Sequence, residues 1–245
     1  MGLGEVSRTW NRLGREDPMW AVLTEPGTAR GRWDTTDFLA TGEREIRAVL
    51  DRAAELGAPP ATRTARDFGC GAGRLTYGLA RAGFDTVIGV DLSEGMLSTA
   101  AELTAGEDRC RFLHNDGPTL GGIEDETVDF VYSSRVLQHM PPDLALGYVR
   151  EFFRVTRPGG TVVFQLPTRP ARTVPGLVVR VLPRAVLDRL RKGMEMHGTA
   201  EGVVRASVES CAGAVLAADD DDRAGTRWES RLYFCRAGEG RHGAG

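Results

Sequence analysis

Between Gly42 and Leu56 the apolar positions Ile46, Val49, Leu50 and Ala53 recur at helical spacing, which predicts a helix that Gly57, Pro59 and Pro60 then end. From Thr64 the period changes. Short apolar runs at 64–68, 86–90, 110–114, 128–132 and 161–166 read as strands. Helical patterns at 74–82, 94–104 and 143–156 alternate with them. Such alternation predicts an α/β domain, a parallel sheet with helices on both faces. Residues 167–198 interrupt the pattern with a basic, apolar stretch. A helix at about 199–211 and strands near 214–218 and 228–235 complete the sheet. The domains expected are an N-terminal helical cap (1–60), a main domain (61–237) carrying a lid-like insert (167–198), and a disordered tail (238–245).

Composition narrows the class. The chain has 245 residues, 41% hydrophobic and 27% charged, enough apolar material for a real core. Its formal charge of −3 gives no support for nucleic-acid binding, which needs a basic excess against phosphates. Arginine supplies nearly all the positive charge, and Lys192 is the only lysine, as in a GC-rich genome. Cys70, Cys110, Cys211 and Cys235 are scattered, without the close pairs of a zinc site or a disulfide framework, and read as reduced thiols in a cytoplasmic protein. Met1–Trp10 is no signal peptide, and no run approaches the ~20 apolar residues of a membrane span, so no stable membrane association is expected.

The chemistry concentrates at strand ends. Asp67-Phe68-Gly69-Cys70-Gly71-Ala72-Gly73-Arg74 follows a strand and opens a helix. Glycines there turn the backbone sharply and let a ligand approach closely. The spacing is G-x-G-x-G, not the G-x-G-x-x-G of dinucleotide enzymes. Asp67, two residues before the first glycine, would repel a pyrophosphate and suit a cation. Asp91 ends the apolar run Val87–Val90, where an acid can accept both hydroxyls of a ribose. Asn115-Asp116-Gly117 ends the third strand with an acid–amide pair suited to an adenine edge. Ser134, Arg135, Gln138 and His139 follow the fourth strand, ahead of Pro141.

In the order and spacing of these segments, and in the Arg157-Pro158-Gly159-Gly160 turn before strand five, the chain resembles the class I S-adenosylmethionine-dependent methyltransferases of small-molecule type, over about 64–166. The resemblance implies a Rossmann-like, doubly wound, seven-stranded sheet, mostly parallel with an antiparallel last strand. It implies S-adenosylmethionine as cofactor. Gly69, Gly71, Gly73 and Arg74 would lie along its methionine part, with Asp67 near the amino group. Asp91 would hold the ribose, Leu92 and Met96 would flank the adenine, and Asn115, Asp116 and Gly117 would lie at its edge. Ser134, Arg135 and Gln138 would face the cofactor from the fourth strand, and His139 would stand where substrate enters.

Each residue also has a structural reading. Asp67 could belong to a helix cap or a buried ion pair, Asp91 could cap the helix near Glu94, Asp116 could sit in a mere turn, and Met96 could be core. His139 is either a general base or the holder of a turn beside Pro141. His114 reads as structural, and His197 as structural or pocket-lining. Trp10, Trp20 and Trp33 anchor a core or form a lid over the strand ends. The basic insert is a cover, a dimer contact, an anion clamp or a surface patch, with a substrate lid preferred. Asp219–Asp222 reads as a solvated loop. The function expected is methylation of a small molecule, first at oxygen and in natural-product biosynthesis, without a metal, in a possible homodimer. The alternatives are C- or N-methylation, a methyltransferase-like cyclase, a non-catalytic binder, and, against the glycine spacing, an NAD-dependent oxidoreductase.

Overall fold

The computed structural model describes residues 10–12, 14, 16–23, 32–173 and 196–238. Most of the basic insert (174–195) and nearly all of the tail lie outside the described residues. Seven strands form one sheet in the order β3-β2-β1-β4-β5-β7-β6. The chain divides into two compact units. One holds residues up to Gly117 with Val128–Tyr132; the other holds Pro118–Thr127 and residues from Ser133 onward.

In the first unit, β1 (Thr64–Phe68), β2 (Thr86–Asp91), β3 (Cys110–His114) and β4 (Val128–Ser133) run parallel, with β1 between β2 and β4. Both faces of β1 and β4 are covered, so β4 is buried throughout and β1 from Ala65 onward. Around them lie α1 (Pro18–Val22), α2 (Thr35–Glu55), α3 (Arg74–Arg81) and α4 (Glu94–Leu103).

The periodicity places the start of α2 at Gly42; the helix starts at Thr35. Asp34 caps it, accepting from the N–H groups of Thr36 (2.8 Å) and Asp37 (3.1 Å). The buried face runs Phe38, Leu39, Gly42, Ile46, Val49, Ala53. Gly42 therefore lies inside the helix, for a packing reason. A Cβ there would fall 1.9 Å from the Arg74 carbonyl oxygen, and one on Gly78 2.7 Å from the Gly42 backbone. The two glycines let α2 and α3 cross backbone against backbone. Gly42→Ala should destabilise the chain by roughly 3 kcal/mol, the upper part of the overpacking range, because the obstacle is a backbone carbonyl that cannot rotate away. Urea denaturation reads this; a loss below about 0.5 kcal/mol would show that the crossing has slack.

In the second unit, α5 (Pro142–Val155) precedes β5 (Thr156–Pro170), and α6 (Glu201–Ser210) precedes β6 (Ala214–Asp221) and β7 (Trp228–Arg236). β7 runs antiparallel to both β5 and β6. β5 is much longer than its apolar run. The Arg157–Gly160 segment, expected as a turn, is strand: Gly159 N–H donates to Ala237 O and Ala237 N–H to Gly160 O, which extends the ladder. The acidic run Asp219–Asp222 is likewise no loop over most of its length. It closes β6 at the sheet edge, where Asp220 pairs with Arg231 and Asp221 with Arg223. Cationic partners and an edge position make acids tolerable in a strand.

Candidate cofactor and acceptor site

The glycine loop of the first unit joins β1 to α3. Gly69, Gly71 and Gly73 all take positive φ, at 73°, 50° and 84°, a region that glycine enters without steric cost. The N–H groups of Gly69 and Cys70 both donate to the Val90 carbonyl, at 2.7 and 3.1 Å. Asp91 closes the same loop from the end of β2. Its Oδ2 accepts from Gly71 N–H and its Oδ1 from Ser93 N–H, both at 2.9 Å. The capping reading for Asp91 passes to Ser93, whose Oγ accepts from Met96 N–H at the start of α4.

Asp67 is fully buried. Thr76 Oγ donates to its Oδ2 at 2.7 Å, while its Oδ1 has no hydrogen-bond partner. Burial pushes the Asp67 carboxyl up from 3.8 to about 7, with Asp91 and Glu45 adding repulsion against the opposing pull of Thr76 and Arg74. Burial also raises Asp91. Asp67, Asp91 and Glu45 thus act on one region against Arg74, an acidic excess that would attract a cation and repel a phosphate.

Arg74 does not line the loop as expected. Its guanidinium is buried and paired with Glu45 Oε2 on α2 at 2.8 Å, while Tyr132 Oη donates to Glu45 Oε1 at 2.7 Å. This arginine fastens α3 to α2. Met96 is wholly buried, with Gly14 packed near its side chain. Leu92 is half-buried beside the loop strand. At the end of β3, Asn115 N–H donates to Asp91 O at 2.9 Å and the Asn115 amide donates to Gly117 O at 3.4 Å, while Asp116 is exposed. His114 contacts Leu92 O, as suits a structural residue.

The N-terminal segment reaches this loop. Met19, Val22, Leu23 and Trp33 pack with Phe38, Leu39 and the loop residue Ala72. A Cβ on Gly71 would fall 2.4 Å from Val22 Cγ2. Trp33 donates its indole N–H to Leu23 O at 3.2 Å and meets Phe38 edge-on. Trp33 is thus an anchor for a segment that lies on the glycine loop.

The residues after β4 belong to the second unit. Ser134 Oγ is buried without a partner. Arg135 takes φ 62°, a left-handed conformation that costs a non-glycine residue on the order of 1 kcal/mol or more. A 3-10 turn, Leu137–His139, follows. Its Gln138 is buried, and its amide lies 3.1 Å from His139 Nε2. His197 reaches this turn through its backbone, donating its N–H to Gln138 O at 2.8 Å. Sequence reasoning passed over Gln165 on β5. This fully buried amide accepts from Arg135 N–H (3.1 Å) and donates to Gln138 Oε1 (3.3 Å) and Ser230 Oγ (2.6 Å). A lone glutamine inside Val162-Val163-Phe164-Gln165-Leu166 was the available signal, since a buried amide demands partners.

All four cysteines are free, and burial raises Cys70, Cys110 and Cys235 above ordinary thiols. Among the described residues no group of three acidic, histidine or cysteine side chains could hold a metal ion, and no helix is long and apolar enough to cross a membrane.

Residues 66–164 match the family model of a methyltransferase domain. Over 141 residues the chain is 33% identical to a ubiquinone biosynthesis O-methyltransferase of Methylococcus capsulatus, covering 52% of this chain and 56% of that protein. Over 155 residues it is 33% identical to a demethylmenaquinone methyltransferase of Clavibacter sepedonicus, covering 61% and 59%. The chain thus spans between half and three fifths of the length of the ubiquinone and menaquinone relatives it matches. Its fold is shared with magnesium protoporphyrin IX methyltransferase of Synechocystis, solved with bound S-adenosylhomocysteine, at TM-score 0.65 and 20% identity over 94% of this chain and 97% of that one.

Proposed function

We propose that this chain, whose residues 66–164 match the family model of a methyltransferase domain, is a class I methyltransferase that transfers a methyl group from S-adenosylmethionine to a small molecule, in the first place to an oxygen. The observation that carries the reading is Asp67 Oδ1: a buried carboxylate oxygen without a partner, at the root of a glycine loop, among like charges. The ammonium of S-adenosylmethionine supplies the missing cation, and the ligand has no phosphate to be repelled. Positive φ at Gly69, Gly71 and Gly73 gives the loop its sharp turn after β1.

S-adenosylmethionine brings a methyl group already activated on a sulfonium, so the protein's work is to bind, orient and exclude water. Asp67 pairs the amino group. Asp91 holds the loop closed through Gly71 and accepts from the ribose with its remaining lone pairs. Leu92 and Met96 shape the adenine side, and Asn115 with Gly117 forms its edge. The family resemblance carries Ser134, Arg135 and Gln138 to the cofactor as well, and His139 to the substrate. Val22, Leu23 and Met19 cover the loop as a lid. The names of the ubiquinone and menaquinone relatives favour an acceptor of quinone type; a role in natural-product biosynthesis follows the same small-molecule chemistry.

Calorimetry and a labelling assay test this. Binding of S-adenosylhomocysteine, little binding of NAD, and transfer of labelled methyl to the oxygen of phenols or hydroquinones are expected. Tight NAD binding without response to S-adenosylhomocysteine would reject the reading. Tight S-adenosylhomocysteine binding with no transfer to any acceptor would point to a non-methylating relative.

A further inference from the structure

The buried amides of the second unit form a chain whose orientation can be read from one end. The backbone N–H of Arg135 can only donate. At 3.1 Å from Gln165 it identifies the facing atom as Oε1. The Gln165 amide nitrogen then directs its two hydrogens to Gln138 Oε1 at 3.3 Å and to Ser230 Oγ at 2.6 Å. Gln138 accepts with its oxygen, which leaves its nitrogen, a donor only, 3.1 Å from His139 Nε2. Two nitrogens so placed bond only if the imidazole nitrogen accepts. A neutral imidazole with an accepting Nε2 carries its proton on Nδ1.

Reversal of either amide sets donor against donor. Gln165 is fully buried and Gln138 is 5% exposed, so water cannot stand in for a lost partner. The imidazolium fails for the same reason, since Nε2–H would face the Gln138 amide hydrogens.

We propose that Gln165 is a positioning residue which, through Gln138, holds His139 in the neutral tautomer protonated on Nδ1, so that its Nε2 is already engaged by Gln138 and does not serve as a general base. The consequence for catalysis rests on the methyltransferase reading; the tautomer does not. The lone pair a base would need is the one Gln138 holds. Removal of a proton from the substrate is then left to the solvent or to the substrate's own acidity.

The test is long-range 1H–15N correlation on the full chain labelled in histidine, without cofactor, at a pH about two units above the ordinary histidine value of ~6.5. His139→Gln identifies the resonances. The parent should show the Nδ1–H pattern for His139. Gln165→Glu removes the amide hydrogens, so Gln138 must turn its NH2 toward residue 165 and its oxygen toward His139. The pattern should then switch to Nε2–H. An Nε2–H pattern in the parent would overturn the proposal, as would the same tautomer in parent and variant. If the variant does not fold, the parent spectrum still decides. The readout needs no turnover, so it fails or succeeds independently of the methyl-transfer assay.

Discussion

Asp67→Asn should bind S-adenosylhomocysteine at least about thirtyfold more weakly than the parent chain. Losing one partner of a buried charge pair costs about 2 kcal/mol or more, and about 2 kcal/mol is a factor of roughly thirty. S-adenosylhomocysteine keeps the ammonium and lacks the sulfonium, so the loss reports the amino-group contact alone. The pH dependence should change with it. Burial holds the Asp67 carboxyl at about 7 in the free chain. An ammonium needs the ionised form, so the parent's affinity should fall as pH drops below about 7, while that of the Asn variant should stay flat. Stability should move in the opposite sense. A carboxyl raised from 3.8 in the unfolded chain to about 7 in the folded one binds its proton better when folded. Its favourable contribution is complete below about 4 and is lost as pH rises through 7, on the order of 4 kcal/mol. Asn removes that slope, so the free variant should be the more stable protein at pH 8. Calorimetry from pH 5.5 to 7.5 and denaturation from pH 4 to 8 read both halves. Parent-like affinity with a parent-like slope would remove Asp67 from the cofactor site.

For Asp91→Ala, we expect a loss of both affinity and stability. Two backbone donors, Gly71 N–H and Ser93 N–H, lose a charged acceptor. Hydrogen bonds to charged groups contribute about 1.5–3 kcal/mol each, so the melting temperature should fall by roughly 6–24 °C. Affinity for S-adenosylhomocysteine should drop at least tenfold, which is ~1.4 kcal/mol. 5′-Methylthioadenosine, which keeps the ribose and lacks the amino-acid part, separates the two roles. A matching loss for this ligand supports the ribose contact. An unchanged affinity for it would leave Asp91 as an anchor of the loop and nothing more.

Much of this was legible along the chain, because strand and helix periods are local properties. The strands at 64–68, 110–114 and 128–132, the G-x-G-x-G loop with Asp67, and Asp91 at a strand end could all be read from neighbouring residues. What local pattern could not reach is whatever a distant segment supplies. Gly42 reads as a helix boundary because glycine is a poor helix former, yet it stands mid-helix because α3 comes too close for a Cβ. Arg74 reads as part of the loop, yet a carboxylate 29 residues upstream takes its charge into the core. Asp219–Asp222 reads as a solvated loop, yet Asp219, Asp220 and Asp221 pair with Leu232, Arg231 and Ser230 of β7 as the end of a strand. The direction of hydrogen bonds around His139 depends on Gln165, 26 residues away in sequence, and no spacing along the chain encodes it. The sequence alone determined the order of elements and the residue types at each strand end, since those follow from side-chain period and turn chemistry. Only the tertiary structure decided which of those groups are already satisfied and which, like Asp67 Oδ1, still lack a partner, because satisfaction of a buried polar atom is a property of everything packed around it.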